Sequence, residues 1–208
     1  MTGLRERKKQ QAREDIAAAA ARLFAERGFD AVTVEEVAEA AGVSKKTVFN
    51  YFPAKEDLVF SRFDERESGL IAAVRDRPPG TSVLESFRAV SLAYCDELAA
   101  TPPGTQRRSA VALVEQSAVL ARRWHQLRNH YLEVLAGELA TEAGSDPDDP
   151  LPAAVAAALL GAERSIKRAA GLRVRSGVPP ADVATWLRPQ VVRIYDRLAA
   201  GLADYPSG

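Results

Sequence analysis

Apolar residues recur at helical spacing from near the start of the chain. Ile16, Ala20, Leu23 and Phe24 line one face, and Gly28 follows where a C-terminal cap belongs. Thr33 and Glu36 have the spacing of a capping box, in which the hydroxyl takes the Glu36 amide and the carboxylate reaches back. Val34, Val37, Ala38 and Ala41 predict the buried stripe of a short second helix. Gly42 interrupts it, Ser44 is a good N-cap for a third helix, and Pro53 ends that one. A fourth is predicted from about Lys55 to Arg75, with Glu56 and Asp57 in the first turn, where the helix dipole favours acids.

Turn-forming residues divide the remainder: Pro78-Pro79-Gly80, Pro102-Pro103-Gly104, the stretch from Gly144 to Pro152, and Gly177 to Pro180. Between them lie apolar-periodic segments at roughly 82–101, 106–143, 153–176 and 181–203, the second long enough for two helices. No run alternates β-branched and aromatic residues as a strand would, and no internal repeat is visible. The expected fold is all-α, with about nine helices in two domains, 1–54 and 55–208.

Two short helices joined by a tight turn suit a helix-turn-helix, whose second helix enters the major groove of double-stranded DNA. Here that helix reads Ser44-Lys45-Lys46-Thr47-Val48-Phe49-Asn50-Tyr51-Phe52. Val48 and Phe52, four apart, can pack inward, which leaves Lys45, Lys46, Thr47 and Asn50 to face the bases. Their chemistry fits that position, since Lys can meet guanine acceptors, Asn can pair with adenine, and Thr can touch a thymine methyl.

The ordered set of motifs resembles the TetR family of transcription regulators. It comprises Leu23-Phe24-Ala25-Glu26-Arg27-Gly28-Phe29, Thr33-Val34-Glu35-Glu36-Val37-Ala38, Ala41-Gly42-Val43-Ser44, and Val48-Phe49-Asn50-Tyr51-Phe52-Pro53-Ala54-Lys55-Glu56-Asp57-Leu58. The likeness covers about residues 12–60 without an insertion. It implies that Lys45, Lys46, Thr47 and Asn50 read bases while Thr33, Ser44, Tyr51 and Lys55 hold phosphates. Phe49 departs from it, standing where many members place a tyrosine hydroxyl for a phosphate. The resemblance also implies a homodimer in which the last two helices pair with their copies, using Val191, Ile194, Tyr195 and Leu198. Against that stands the plainer reading that these stripes are intramolecular core.

The resemblance further implies that the middle helices hold a small-molecule inducer. Candidate lining residues are Phe87, Tyr94, Cys95, Val114, Trp124, Leu127, His130 and Tyr131, although most helical aromatics are ordinary core. The stretch Ser117-Ala118-Val119-Leu120-Ala121-Arg122-Arg123, with Asp146-Pro147-Asp148-Asp149 after it, is similar to a subgroup that binds acyl-CoA-like ligands. Arg107, Arg108, Arg122 and Arg123 would then meet the phosphates of a largely apolar inducer, where the alternative is a solvated face.

Composition narrows the alternatives. The chain has 208 residues, 27% of them charged, with a formal net charge of zero. Only the start is locally basic, where Arg5, Arg7, Lys8, Lys9 and Arg13 are opposed by Glu6 alone. The single cysteine, Cys95, rules out an intrachain disulfide and a cysteine cluster for zinc, which fits a reducing cytoplasm. Ala153 to Ala162, the most apolar stretch, falls far short of the ~20 residues of a membrane span, so no membrane partner is expected.

An enzyme is the first rival class. The chain lacks a G-x-S-x-G elbow, a phosphate loop and a dinucleotide fingerprint. His125 and His130 lie about 140° apart round a helix and share no metal-binding face. Asp146, Asp148 and Asp149 lack the glycine and glutamate of a calcium loop, and read as capping acids. No catalysis and no cofactor are expected. The second rival is a helical binding protein that no longer touches DNA, against which Lys45, Lys46 and Lys55 argue.

Overall fold

Buried side chains follow the helical stripes that the sequence sets out. A computed structural model describes residues 2–102, 113–114 and 117–202. Among the described residues there are eight helices, α1 (Thr2–Arg27), α2 (Val34–Ala40), α3 (Lys45–Tyr51), α4 (Lys55–Arg75), α5 (Val83–Ala99), α6 (Ala118–Ala143), α7 (Leu151–Arg175) and α8 (Pro180–Leu202). Residues 113–114 are also helical, and no described residue lies in a strand, so the fold is all-α as expected. α1 runs back to Thr2, which makes the basic start of the chain part of a helix. Of the long 106–143 segment, the described part from Ala118 onward is one continuous helix.

The chain forms two compact units, Met1–Arg66 with Arg108–Leu127, and Glu67–Arg107 with Arg128–Gly208. α4 and α6 each contribute to both units. In the first unit α1 packs on α2 and α2 on α3, with Ile16, Ala20, Phe24, Val37, Ala38, Val48 and Phe52 all nearly or fully buried. Removing each large side chain from water is worth ~1.5–3 kcal/mol, which is ample to hold short helices that would not persist alone. The Trp124 ring lies 4.4 Å from that of Phe63 and 5.7 Å from that of Phe60, centre to centre. Arg123 donates to Asp57 at 2.9 Å, and Asp57 also accepts from the Ala54 amide at the start of α4.

In the second unit α5 packs on α8, and both pack on α7. Phe87, Cys95, Leu135, Leu139, Leu159, Leu160, Val191 and Tyr195 form its centre. Ion pairs Arg88–Asp196 and Arg188–Asp96 tie α5 to α8. Arg75–Glu138 and Arg77–Glu142 tie the end of α4 and the turn after it to α6. The loop acids behave as the sequence suggests: Asp146 accepts the Asp148 amide, and Asp149 accepts the Leu151 amide at the start of α7.

Candidate nucleic-acid interface

Both short helices of the first unit are capped by their own side chains. Thr33 accepts the Glu36 amide at 3.2 Å while Glu36 accepts the Thr33 amide at 2.7 Å, completing the box. Two of the amides that a helix start leaves unpaired are thereby satisfied. The turn between α2 and α3 depends on Gly42, whose φ of +68° a side chain would strain. Its neighbour Val43 returns an amide to Ala38 at 2.9 Å. Ser44 then caps α3 by accepting the Thr47 amide at 3.1 Å, and its hydroxyl also bonds the Thr47 hydroxyl at 2.8 Å.

Burial sorts the residues of α3 cleanly. Val48 and Phe52 are 1% and 2% exposed, while Lys45, Lys46 and Asn50 are exposed and Thr47 is half-buried. Phe49 is 40% exposed, so it stands outward with Lys45, Lys46 and Asn50 instead of packing inward. Lys45 pairs with Glu35 of α2, and this contact holds the Glu35 carboxyl below its ordinary value. Arg27 reaches from the end of α1 to Glu36 at 2.6 Å and to the Ala31 carbonyl at 2.9 Å. The Thr33 amide, then Arg27, then the Thr33 hydroxyl hold the Glu36 carboxyl down at about 2.

The four phosphate candidates are less alike than their shared role implies. Thr33 and Ser44 are exposed but spend their hydroxyls on caps. Tyr51 is half-buried at the end of α3. Lys55 is also half-buried, donates to the Phe29 carbonyl at 2.7 Å, and sits 4.2 Å over the Phe29 ring. An ammonium has three donors, so this anchoring still leaves Lys55 with hydrogens for a phosphate. A capped pair of short helices, with a cationic face outward and an aromatic face inward, has the form of a major-groove reader.

Residues 16–61 match the family described as bacterial regulatory proteins, tetR family. Over those residues the chain carries a DNA-binding region of TetR type. Among curated relatives, the HTH-type transcriptional regulator TcmR of Streptomyces glaucescens is 28% identical over 187 residues, covering 88% of this chain and 83% of its own length. The HTH-type transcriptional regulator EthR of Mycolicibacterium smegmatis is 27% identical over 198 residues, covering 90% of this chain and 88% of its own. Two solved structures share the fold. Salmonella enterica GusR has a TM-score of 0.52 at 20% identity, covering 89% of this chain and 96% of its own. Pseudomonas aeruginosa NalD gives 0.51 at 22%, covering 88% and 96%. The match and the curated relatives support a DNA-binding, helix-turn-helix transcription regulator similar to TetR-family members.

Within the TetR framework two of the expected interface residues need correction. Val191 and Tyr195 are 0% and 1% exposed in the second unit's own core, where the Tyr195 hydroxyl bonds that of Ser91 at 3.0 Å. Burial pushes the Tyr195 hydroxyl well above its ordinary value. Side chains so enclosed have no surface left for a second chain. Ile194 and Leu198 are half-buried against the same core. The outward face of α8 instead carries Pro189, Val192, Arg193, Asp196, Arg197 and Ala200, which line a shallow groove.

The proposed inducer-lining residues fall in both units. Val114, Trp124 and Leu127 belong to the first; Phe87, Tyr94, Cys95, His130 and Tyr131 belong to the second. Phe87 and Cys95 are fully buried, and Tyr131 is 5% exposed with its hydroxyl 3.1 Å from that of Ser68. His130 is exposed, with its ring edge against Tyr131. Of the four arginines, Arg123 is bonded to Asp57, Arg122 is exposed, and Arg107 and Arg108 lie outside the described residues.

Glu67 and Glu163 are 3% and 1% exposed, a placement that helical periodicity alone foreshadows. Buried positions of α7 run 155, 156, 159, 160, 163, 166 and 170, so Glu163 occupies a core position of its own helix. Glu67 falls in the same way among Phe60, Phe63, Leu70 and Val74 of α4.

Among the described residues no helix is long and apolar enough to cross a membrane, and no group of His, Cys, Asp and Glu is arranged to hold a metal ion.

Proposed function

We propose that this protein is a cytoplasmic homodimeric repressor of the TetR family, released from a near-palindromic operator by a small molecule. The observation that carries the reading is the outward face of α3, where Lys45, Lys46 and Asn50 stand exposed on a helix anchored from behind by Val48 and Phe52. Lys45, Lys46, Thr47 and Asn50 read base edges, and Thr33, Ser44, Tyr51 and Lys55 fix the register on phosphates. A single α3 covers too few base pairs to be selective, so two copies must present their helices one helical turn of DNA apart.

The dimer forms through the outward faces of α7 and α8. Support comes from the small residues Ala154, Ala157 and Gly161, which allow close helix approach, and from Leu172, half exposed on the same helix. The inducer binds in the second unit and favours a dimer whose reading helices are wrongly spaced. A ligand bound equally by both spacings would release nothing. Selection of bound sequences from a random DNA pool tests the reading. Recovery of a two-fold symmetric site whose complex dissociates in proportion to salt is expected, and recovery of no enriched sequence refutes it.

A further inference from the structure

The outward face of α3 is not uniformly polar. Val48 and Phe52 set the direction of the core, and at about 100° per residue Asn50 points directly away from it. Lys46 and Thr47 flank Asn50, and Phe49 follows beyond Lys46, at the edge of the same face. Four large apolar side chains are exposed among the described residues. Val119 is on α6, Leu151 and Leu172 are on α7, and Phe49 stands on α3 itself. The Lys45 ammonium, one turn back, lies 5.8 Å over the Phe49 ring. Phe49 is therefore set between two lysines, on the helix that faces DNA in the proposed function.

The chemistry of a phenyl ring narrows what it can meet there. Apolar surface left in water is unfavourable, and the ring has no donor or acceptor to offset that cost. A phosphate offers it nothing, since phosphate oxygens need a donor and the ring presents a negative face. Of the groups that base pairs show in the major groove, one is apolar, the C5 methyl of thymine. That methyl stands at the margin of the groove, beside its own strand's backbone. A side chain at the edge of a reading helix is better placed for it than one at the centre. Lys45 and Lys46, on either side, supply the positive charge that draws DNA onto this face.

We propose that Phe49 is a specificity-determining residue whose ring packs on the C5 methyl of a thymine in each half-site of the operator. This deepens the DNA-reading role of α3 and rests on it. Lys45 and Phe49 are four residues apart, about 6 Å along the helix, against about 3.4 Å for a base-pair step. The thymine therefore lies within about two steps of the base pair that Lys45 reads. The contact discriminates thymine from cytosine, which lacks the methyl and presents a donor in place of the O4 acceptor.

The test uses the full chain and a duplex recovered by selection from a random DNA pool. Each thymine is replaced in turn by deoxyuridine, in both half-sites together, which removes the methyl and keeps the pairing and the O4 acceptor. Burying one such group is worth about a fourfold change in affinity, so at the thymine that Phe49 meets the wild type should lose about tenfold. Phe49→Ala should bind the thymine and deoxyuridine duplexes alike there, while Phe49→Leu, which keeps an apolar tip, should retain about twofold or more of the preference. Thermal unfolding of both variants should match the wild type, since Phe49 lies outside the core. The proposal is overturned if no thymine shows a deoxyuridine penalty that disappears in Phe49→Ala. A selective site without that coupling strikes the role of Phe49 alone. Recovery of no selective site overturns the DNA-reading role, and this proposal with it.

Discussion

Lys45 pairs with Glu35, and in the proposed function it also reads a base. Both partners are more than half exposed, so the pair is readily exchanged for a base contact in solution. Two outcomes follow. Lys45→Ala and Asn50→Ala should each weaken operator binding by ~1–3 kcal/mol and relax preference at particular base pairs, as read by titration against single-base variants of the site. Glu35→Gln should tighten binding severalfold and steepen its salt dependence, since it frees Lys45 and removes a negative charge beside the phosphates. Unchanged affinity would show that Lys45 does not exchange partners. Lys55→Ala should act differently from the reading residues. It loses the bond to the Phe29 carbonyl and the ring contact, so a stability loss of about 1 kcal/mol should accompany a sequence-independent loss of affinity.

At the level of elements, the join between α1, α2 and α3 is held by capping and by one anchored carboxylate. Thr33→Ala should cost ~1 kcal/mol of stability, measured by denaturant unfolding, because the Glu36 amide loses its acceptor. The Glu36 carboxyl is held at about 2 in the folded chain against an ordinary 4.5. A carboxyl depressed on folding stabilises the native state above its ordinary value, and that contribution fades as pH falls from about 4.5 towards 2. Acid should therefore loosen the α1–α2 join. Protection factors for amide exchange across α2 should fall over that interval in the wild type, and Glu36→Gln should leave a smaller fall, the remainder coming from Glu35, which Lys45 also holds down. The capping box and the Ser44 cap were legible in sequence because capping is local chemistry, complete within four residues. The outward turn of Phe49 was not legible, since it depends on which face of α3 the first unit buries.

For the whole molecule, the last two helices show how periodicity identifies a buried stripe without saying what buries it. Val191 and Tyr195 belong to the chain's own core, so Tyr195→Phe should leave the dimer intact while destabilising the fold by about 1 kcal/mol through the unpaired Ser91 hydroxyl. Leu172→Glu alters a side chain that is 50% exposed and should leave the monomer folded. In a dimer formed through α7 and α8 it should yield monomers with greatly weakened operator binding, by sedimentation and titration. An intact dimer for that variant would move the interface elsewhere on the chain.

The sequence by itself determined the helical class, the capped helix-turn-helix and the candidate reading residues, because helix periodicity, caps and turn glycines act over a few residues. Only the tertiary structure decided which face each stripe presents. It put Val191 and Tyr195 in the core, assigned Trp124 and Leu127 to the unit that carries α2 and α3, and buried Glu67 and Glu163. Those outcomes depend on contacts between residues far apart in the chain, and a single helix carries no record of its partner.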